Sequence, residues 1–127
     1  MIYHNNIHTL DGLDTCVRET TKHLRKHRSE FDSIVVTGMS GVVVGVPVSM
    51  RLRKPLVIVR KASDNSHHGC GKLINETKLG RRALFLDDFV AGGKTRASVI
   101  KALQERHVRV VAQYEYQVHE YRALGAE

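Results

Sequence analysis

The chain has 127 residues, enough for one domain with a single core and too few for a second lobe. With 42% apolar and 26% charged residues it is not a disordered chain. No apolar run approaches a membrane span and no signal-peptide pattern opens it, so a cytoplasmic protein without membrane contact is expected. The formal charge of +7 points toward polyphosphates or nucleic acid.

Leu10, Leu13, Val17, Thr21 and Leu24 recur at three- and four-residue steps, which predicts an amphipathic helix over about 11–28. Its end carries Lys22, Arg25, Lys26 and Arg28. Cations suit the negative end of a helix dipole, so a solvated helix face accounts for this cluster. A short β-branched strand at 33–37 runs into Gly38-Met39-Ser40-Gly41. A second helix is expected to reach about Arg53, its start delayed or kinked by Pro47. Residues 55–60 form the next strand, apolar throughout Leu56-Val57-Ile58-Val59. Residues 61–78 are polar, glycine-containing and weakly periodic, which predicts a long mobile loop. Leu84-Phe85-Leu86 is the third strand, Val99, Ile100 and Leu103 mark a helix at about 95–106, and 108–114 is a fourth strand. Cys16 and Cys70 stand in unlike contexts without metal spacing, as in a reduced intracellular chain.

Short apolar strands that do not alternate belong to a parallel sheet covered on both faces. Strands alternating with helices give a doubly wound, mainly parallel α/β sheet flanked by helices. Ligands of such sheets bind beyond the strand C-termini. Three special segments follow strand ends here: 38–41, Arg60-Lys61 and 87–95. They are expected to converge on one crevice.

The richest of the three is Ala83-Leu84-Phe85-Leu86-Asp87-Asp88-Phe89-Val90-Ala91-Gly92-Gly93-Lys94-Thr95. An apolar strand stops at two carboxylates, and a small-residue loop leads into a helix. Carboxylates suit sugar hydroxyls, and backbone amides at a helix start suit phosphate. Gly93-Lys94-Thr95 matches the tail of a nucleoside-triphosphate-binding loop, but that motif needs glycine where Asp88 stands.

The segment resembles the phosphoribosyl-pyrophosphate motif of the type I phosphoribosyltransferases: four apolar residues, two acids, two apolar residues and a loop of small residues. The resemblance implies that Asp87 and Asp88 meet the ribose hydroxyls, directly or through Mg²⁺ and its water. It implies that Ala91, Gly92, Gly93, Lys94 and Thr95 hold the 5′-phosphate. Lys94 stands where the family often has Gly or Thr. Val57-Ile58-Val59-Arg60-Lys61 is similar to a segment of the orotate and adenine enzymes, which places Arg60 and Lys61 beside pyrophosphate. Thr37-Gly38-Met39-Ser40-Gly41 is similar to the family's first loop, which assigns the Ser40 and Gly41 amides to pyrophosphate as well. His68-Gly69-Cys70-Gly71 resembles the end of the orotate enzymes' flexible loop. Here the interior Lys is missing and an acid is replaced by Cys70, so His67, His68 or Lys72 would supply the cation on closure. A zinc site from His67, His68 and Cys70 is poorly spaced.

These matches cover about 33–113 in family order. The resemblance implies one domain over 1–127, with the terminal segments as the only material for the hood that covers the base. Such a hood is minimal, supplied by a partner subunit, or absent. Tyr3, Tyr114, Tyr116 and Tyr121 would stack on a base or, as ordinary tyrosines do, pack in the core. Transfer of 5-phosphoribosyl from phosphoribosyl pyrophosphate to a nucleobase, with Mg²⁺ and release of pyrophosphate, is the expected activity, in a homodimer. Asp87, Asp88, Lys61 and His68 are the expected catalytic groups. The rival is a nucleic-acid-binding regulator that senses phosphoribosyl pyrophosphate. Nucleic acid is the less favoured partner, because aromatics do not interleave the basic runs. A continuous basic patch away from the crevice would mark the rival.

Overall fold

The computed structural model describes residues 7–60, 73–88 and 93–125. Helix α1 spans Leu10–Arg25 and starts on Thr9, whose hydroxyl accepts from the Gly12 amide at 3.1 Å. Strand β1 (Ser33–Val36) leads into α2 (Gly38–Leu52), followed by β2 (Leu56–Val59) and β3 (Leu73–Ile74). Then come β4 (Arg82–Asp87), α3 (Lys94–Gln104), β5 (Arg109–Glu115) and β6 (Glu120–Ala123). The six strands form one sheet in the order β3-β2-β1-β4-β5-β6. The inner four are parallel, and β3 and β6 are antiparallel edges.

Successive residues of the inner strands feed opposite cores. Ile34, Val36, Leu84 and Leu86 pack with Val17, Leu24, Val44 and Val48 under α1 and α2. Val35, Phe85 and Val110 pack with Val99, Ala102 and Leu103 under α3. Burial on both faces explains why these strands read as apolar runs without alternation. Cys16 lies in the first core, and burial pushes its thiol up to about 11, so it is an unreactive packing residue.

Two expectations are corrected. Pro47 neither delays nor sets the start of α2; it sits inside the helix, which begins at Gly38. Gly38, at φ 75°, turns the chain directly out of β1. The amide that Pro47 lacks costs one helical bond, and burial of Gly41, Val44, Gly45, Val48 and Leu52 on the sheet outweighs it. The expected loop at 61–78 ends earlier. Leu73 and Ile74 pair with Val59 and Ile58, and Glu76–Lys78 forms a single turn of 3₁₀ helix. A two-residue strand is too short to leave a periodic signal. Residues 120–123 of the C-terminal segment form the edge strand β6.

Candidate functional site

The strand order reverses between β1 and β4, since β2 lies on one side of β1 and β4 on the other. A crevice opens at such a switch point, beyond the strand C-termini. Three segments meet there: the start of α2 after β1, Arg60 after β2, and Asp87 with Asp88 at the end of β4.

The acid pair is held by its backbone. The Tyr116 amide donates to the Asp87 carbonyl at 3.0 Å, and the Gln117 amide donates to the Asp88 carbonyl at 3.0 Å. The chain beyond β5 therefore clamps the end of β4. The Asp88 amide also donates to Asp87 Oδ1 at 2.9 Å. Asp87 is 7% exposed and stands beside Glu115 in the β4–β5 register. Strand alternation sets Asp87 on the α3 side of the sheet, with Phe85 and Ala83.

Two helices begin at this crevice, and neither N-cap residue caps its helix through its own side chain. At α2 the N-cap is Thr37, but its hydroxyl donates to the Val59 carbonyl at 2.6 Å instead of accepting from the helix. That bond ties the end of β1 to the end of β2. At α3 the N-cap is Gly93, at φ 74°, which has no side chain to offer. The first intrahelical bond there runs from the Ala97 amide to the Gly93 carbonyl at 3.0 Å. An uncapped start leaves amides and the positive dipole end to meet an anion. The contrast with Thr9, which does cap α1, is informative.

Close packing brings α2 to the site. A Cβ at Gly41 would stand 3.2 Å from Val36 Cβ, and one at Gly45 would stand 2.8 Å from Val36 Cγ1. Ser40 and Gly41 lie in the first turn, and the Ser40 carbonyl accepts from Tyr116 Oη at 3.4 Å. Burial, then the nearby Asp88, holds the Tyr116 phenol well above its ordinary range, so it remains a donor. Behind the acids runs a polar chain. Arg96 Nη1 donates to Gln113 Oε1 at 3.1 Å, and Gln113 Nε2 donates to Glu115 Oε1 at 2.9 Å.

Of the residues singled out by sequence, Ser40, Gly41, Arg60, Asp87, Asp88, Gly93, Lys94 and Thr95 all lie at the crevice end of the sheet. Lys94 and Thr95 are exposed in the first turn of α3, and Arg60 is half-buried. Lys61, His67, His68, Ala91 and Gly92 lie outside the described residues. Sequence reasoning named Thr37 and Tyr116 but not their bonds to Val59 and Asp87, and it missed the Arg96–Gln113–Glu115 chain. Polar Gln113 and Glu115, alternating with Tyr114 and Tyr116 at the end of an apolar strand, were the available signal. Tyr114 and Tyr116 are fully buried, and Tyr121 stacks on His27 at 3.7 Å, so these tyrosines pack rather than wait for a base.

Among the described residues, no three His, Cys, Asp or Glu side chains gather to cage a metal, and no helix is long and apolar enough to cross a membrane. No family model matches the chain. It is similar to an orotate phosphoribosyltransferase of Archaeoglobus fulgidus, 32% identical over 84 residues, covering 65% of this chain and 46% of the relative. It is also similar to an adenine phosphoribosyltransferase of Agathobacter rectalis, 28% identical over 118 residues, covering 83% of this chain and 67% of the relative. The chain spans about half the length of the first curated relatives it matches. In structure it resembles the orotate phosphoribosyltransferase of Aeropyrum pernix, with a TM-score of 0.73 and 15% identity over 86% of this chain and 60% of that one. At that identity the likeness concerns the fold, a mixed sheet flanked by helices.

Proposed function

Because this chain is a relative of the type I phosphoribosyltransferases, we propose that it transfers 5-phosphoribosyl from phosphoribosyl pyrophosphate to a nucleobase. One observation carries the reading: two adjacent carboxylates, clamped at the switch point of the sheet, lie between two helix starts whose N-cap residues make no side-chain capping bond. Two anionic groups and a hydroxylated sugar between them match that layout. The bond from ribose C1 to pyrophosphate oxygen breaks, and pyrophosphate leaves with the electron pair. A ring nitrogen of the base forms the new bond to C1 and gives up its proton to solvent.

In this reading Asp87 and Asp88 orient the ribose hydroxyls and face the positive charge that develops on the sugar. The start of α3, with Gly93, Lys94, Thr95 and the preceding Ala91 and Gly92, receives the 5′-phosphate. The start of α2 at Ser40 and Gly41, with Arg60 and Lys61, receives pyrophosphate. His67 and His68 belong to the segment that would close over the donor and exclude water. The protein's part is positioning and charge stabilisation, with no covalent intermediate.

A hard dication fits this donor set. The acids present oxygen, and the lack of a protein cage among the described residues suits Mg²⁺, which keeps its waters and binds largely through substrate phosphates. Asp87 and Asp88 would face it through water, and when bound it neutralises the leaving pyrophosphate.

The test is a screen of orotate, uracil, adenine, guanine, hypoxanthine and xanthine, each with labelled phosphoribosyl pyrophosphate and Mg²⁺. Pyrophosphate release should depend on one base or one base class, stop on chelation, and return with Mg²⁺. Donor binding without release for any base would replace the enzyme by a sensor of the donor.

A homodimer completes the proposal. Met39, Val46 and Met50 are 74%, 42% and 73% exposed, at seven- and four-residue steps along α2. They form an apolar stripe on the outer side of a helix whose inner side is packed on the sheet. The parent should elute as a dimer, and Val46→Glu with Met50→Glu should shift it to the monomer position. A parent that elutes as a monomer would end this part of the proposal.

A further inference from the structure

The parallel topology gives the sheet two unlike ends. The crevice end gathers Asp87, Asp88, Glu115 and Glu120. At the opposite end, where the inner strands begin, nearly every connection delivers cations. Helix α1 ends with Lys22, Arg25 and Lys26, and α2 ends with Arg51 and Arg53. Lys54 precedes β2, Arg81 and Arg82 open β4, and Arg109 opens β5. Except for half-buried Lys54, these side chains are exposed.

Like charges are set close together here. Arg82 and Arg109 are register partners on adjacent strands. Lys54 lies 5.7 Å from the centre of the Phe31 ring, and its ammonium is pulled below its ordinary range, first by burial and next by Arg28, against the opposing pull of Asp32. The nearby acids are engaged locally. Asp32 takes Arg82 Nη2 at 2.9 Å and the amides of Arg81 and Arg82 at 3.0 Å. Glu30 accepts from Tyr121 Oη at 2.7 Å and lies 2.9 Å from His27 Nδ1. Glu105 lies 4.0 Å from Arg106. The basic field continues up the α1–α2 groove, where Arg18, Lys22, Arg25 and Arg51 line a recess of about 290 Å³. Asp14 meets two of them, Arg18 at 2.6 Å and Arg51 at 3.9 Å.

We propose that this strand-start end of the sheet is a docking surface for the phosphate backbone of double-stranded nucleic acid. The argument is charge, extent and composition. Four strand starts about 4.8 Å apart span roughly 14 Å. A duplex carries one charge per about 1.7 Å of axis over its two strands, so that length holds on the order of eight phosphate charges, about half of them on the near side. Single strands call for exposed aromatic rings on which bases stack. Among the described residues the phenylalanine at this end, Phe31, is fully buried, so backbone contact to a paired duplex is favoured. The surface lies across the sheet from the crevice, and the inference stands whether or not the crevice turns over its donor.

The test is fluorescence anisotropy of the full chain with a labelled 20-bp duplex across a salt series. Binding should weaken steeply with salt, with a log–log slope of about −4 or steeper. Arg25→Gln, Arg81→Gln and Arg109→Gln combined should flatten the slope by about 3 and weaken binding by about tenfold or more, with the thermal midpoint unchanged. Pyrophosphate release, where present, should stay at the parent level. No binding at low salt, or a slope unmoved by the triple variant, overturns the proposal. Tighter capture by polyglutamate or by phosphatidylserine vesicles than by the duplex overturns it in favour of an acidic protein or a membrane.

Discussion

Asp87→Asn combined with Asp88→Asn is expected to lower phosphoribosyl-pyrophosphate-dependent turnover by about a hundredfold or more, while the folded chain survives. Loss of one aimed electrostatic group at a developing charge costs on the order of a hundredfold in rate, and in the proposed site two carboxylates would face the sugar. The fold should tolerate the change. The clamp on β4 runs through the carbonyls of residues 87 and 88, and the contact at Asp87 Oδ1 needs only an acceptor, which an Asn oxygen supplies. Steady-state turnover and a thermal midpoint, measured on one preparation, check both halves. Full activity in the double variant would remove the acid pair from the mechanism. Retained donor affinity with lost turnover would place their action in the transition state.

Gly45→Val carries the largest expected loss of stability, because it separates α2 from the sheet. Even the first carbon of the new side chain would stand 2.8 Å from Val36 Cγ1 and 3.1 Å from Leu56 Cδ1. Val36 is fully buried and β-branched, so it has no alternative rotamer into open space. Gly and Val are both weak helix formers, so propensity gives little back. Overpacking of this kind costs about 1–3 kcal/mol, and this site belongs at the upper end. The midpoint should fall by roughly 10 °C in a chain of this size. Turnover of the remaining folded fraction should fall too, since a displaced α2 carries Ser40 and Gly41 away from the β4 end. An unchanged midpoint in a denaturation series would show that the helix and β1 are not in such close contact.

The apolar runs at 33–37, 55–60 and 84–86 announced parallel strands because both faces of each are buried, and burial on both faces erases alternation. The helices were legible for the opposite reason: α1 has one wet face, so its apolar residues keep a helical step. Errors arose where a local rule met a tertiary force. Pro47 reads as a helix boundary, yet α2 runs through it because six of its residues are buried. Strand β3 has two residues and β6 four, so neither has a period to read, and both exist because β2 and β5, the outermost of the parallel strands, offer each a ladder.

The site divides in the same way. The acids, the small-residue loop and the order of the three segments are local strings, and the chain spells them out. What the string lacks is the state of each helix start. Thr37 is the N-cap of α2 in the fold, but its hydroxyl serves the Val59 carbonyl, because β2 is laid beside β1. Only that neighbour leaves the start of α2 open to an anion. The basic residues follow the same logic. In sequence they are scattered pairs, and the cluster at 22–28 reads as one solvated helix end. A parallel sheet returns the chain to the same end before every inner strand, so cations far apart in sequence become one surface. The sequence by itself determined which chemistry the crevice can hold, since side-chain identity sets charge and hydrogen bonding. Tertiary structure alone decided which helix starts stay open and where the excess charge gathers, since both depend on which strands lie side by side.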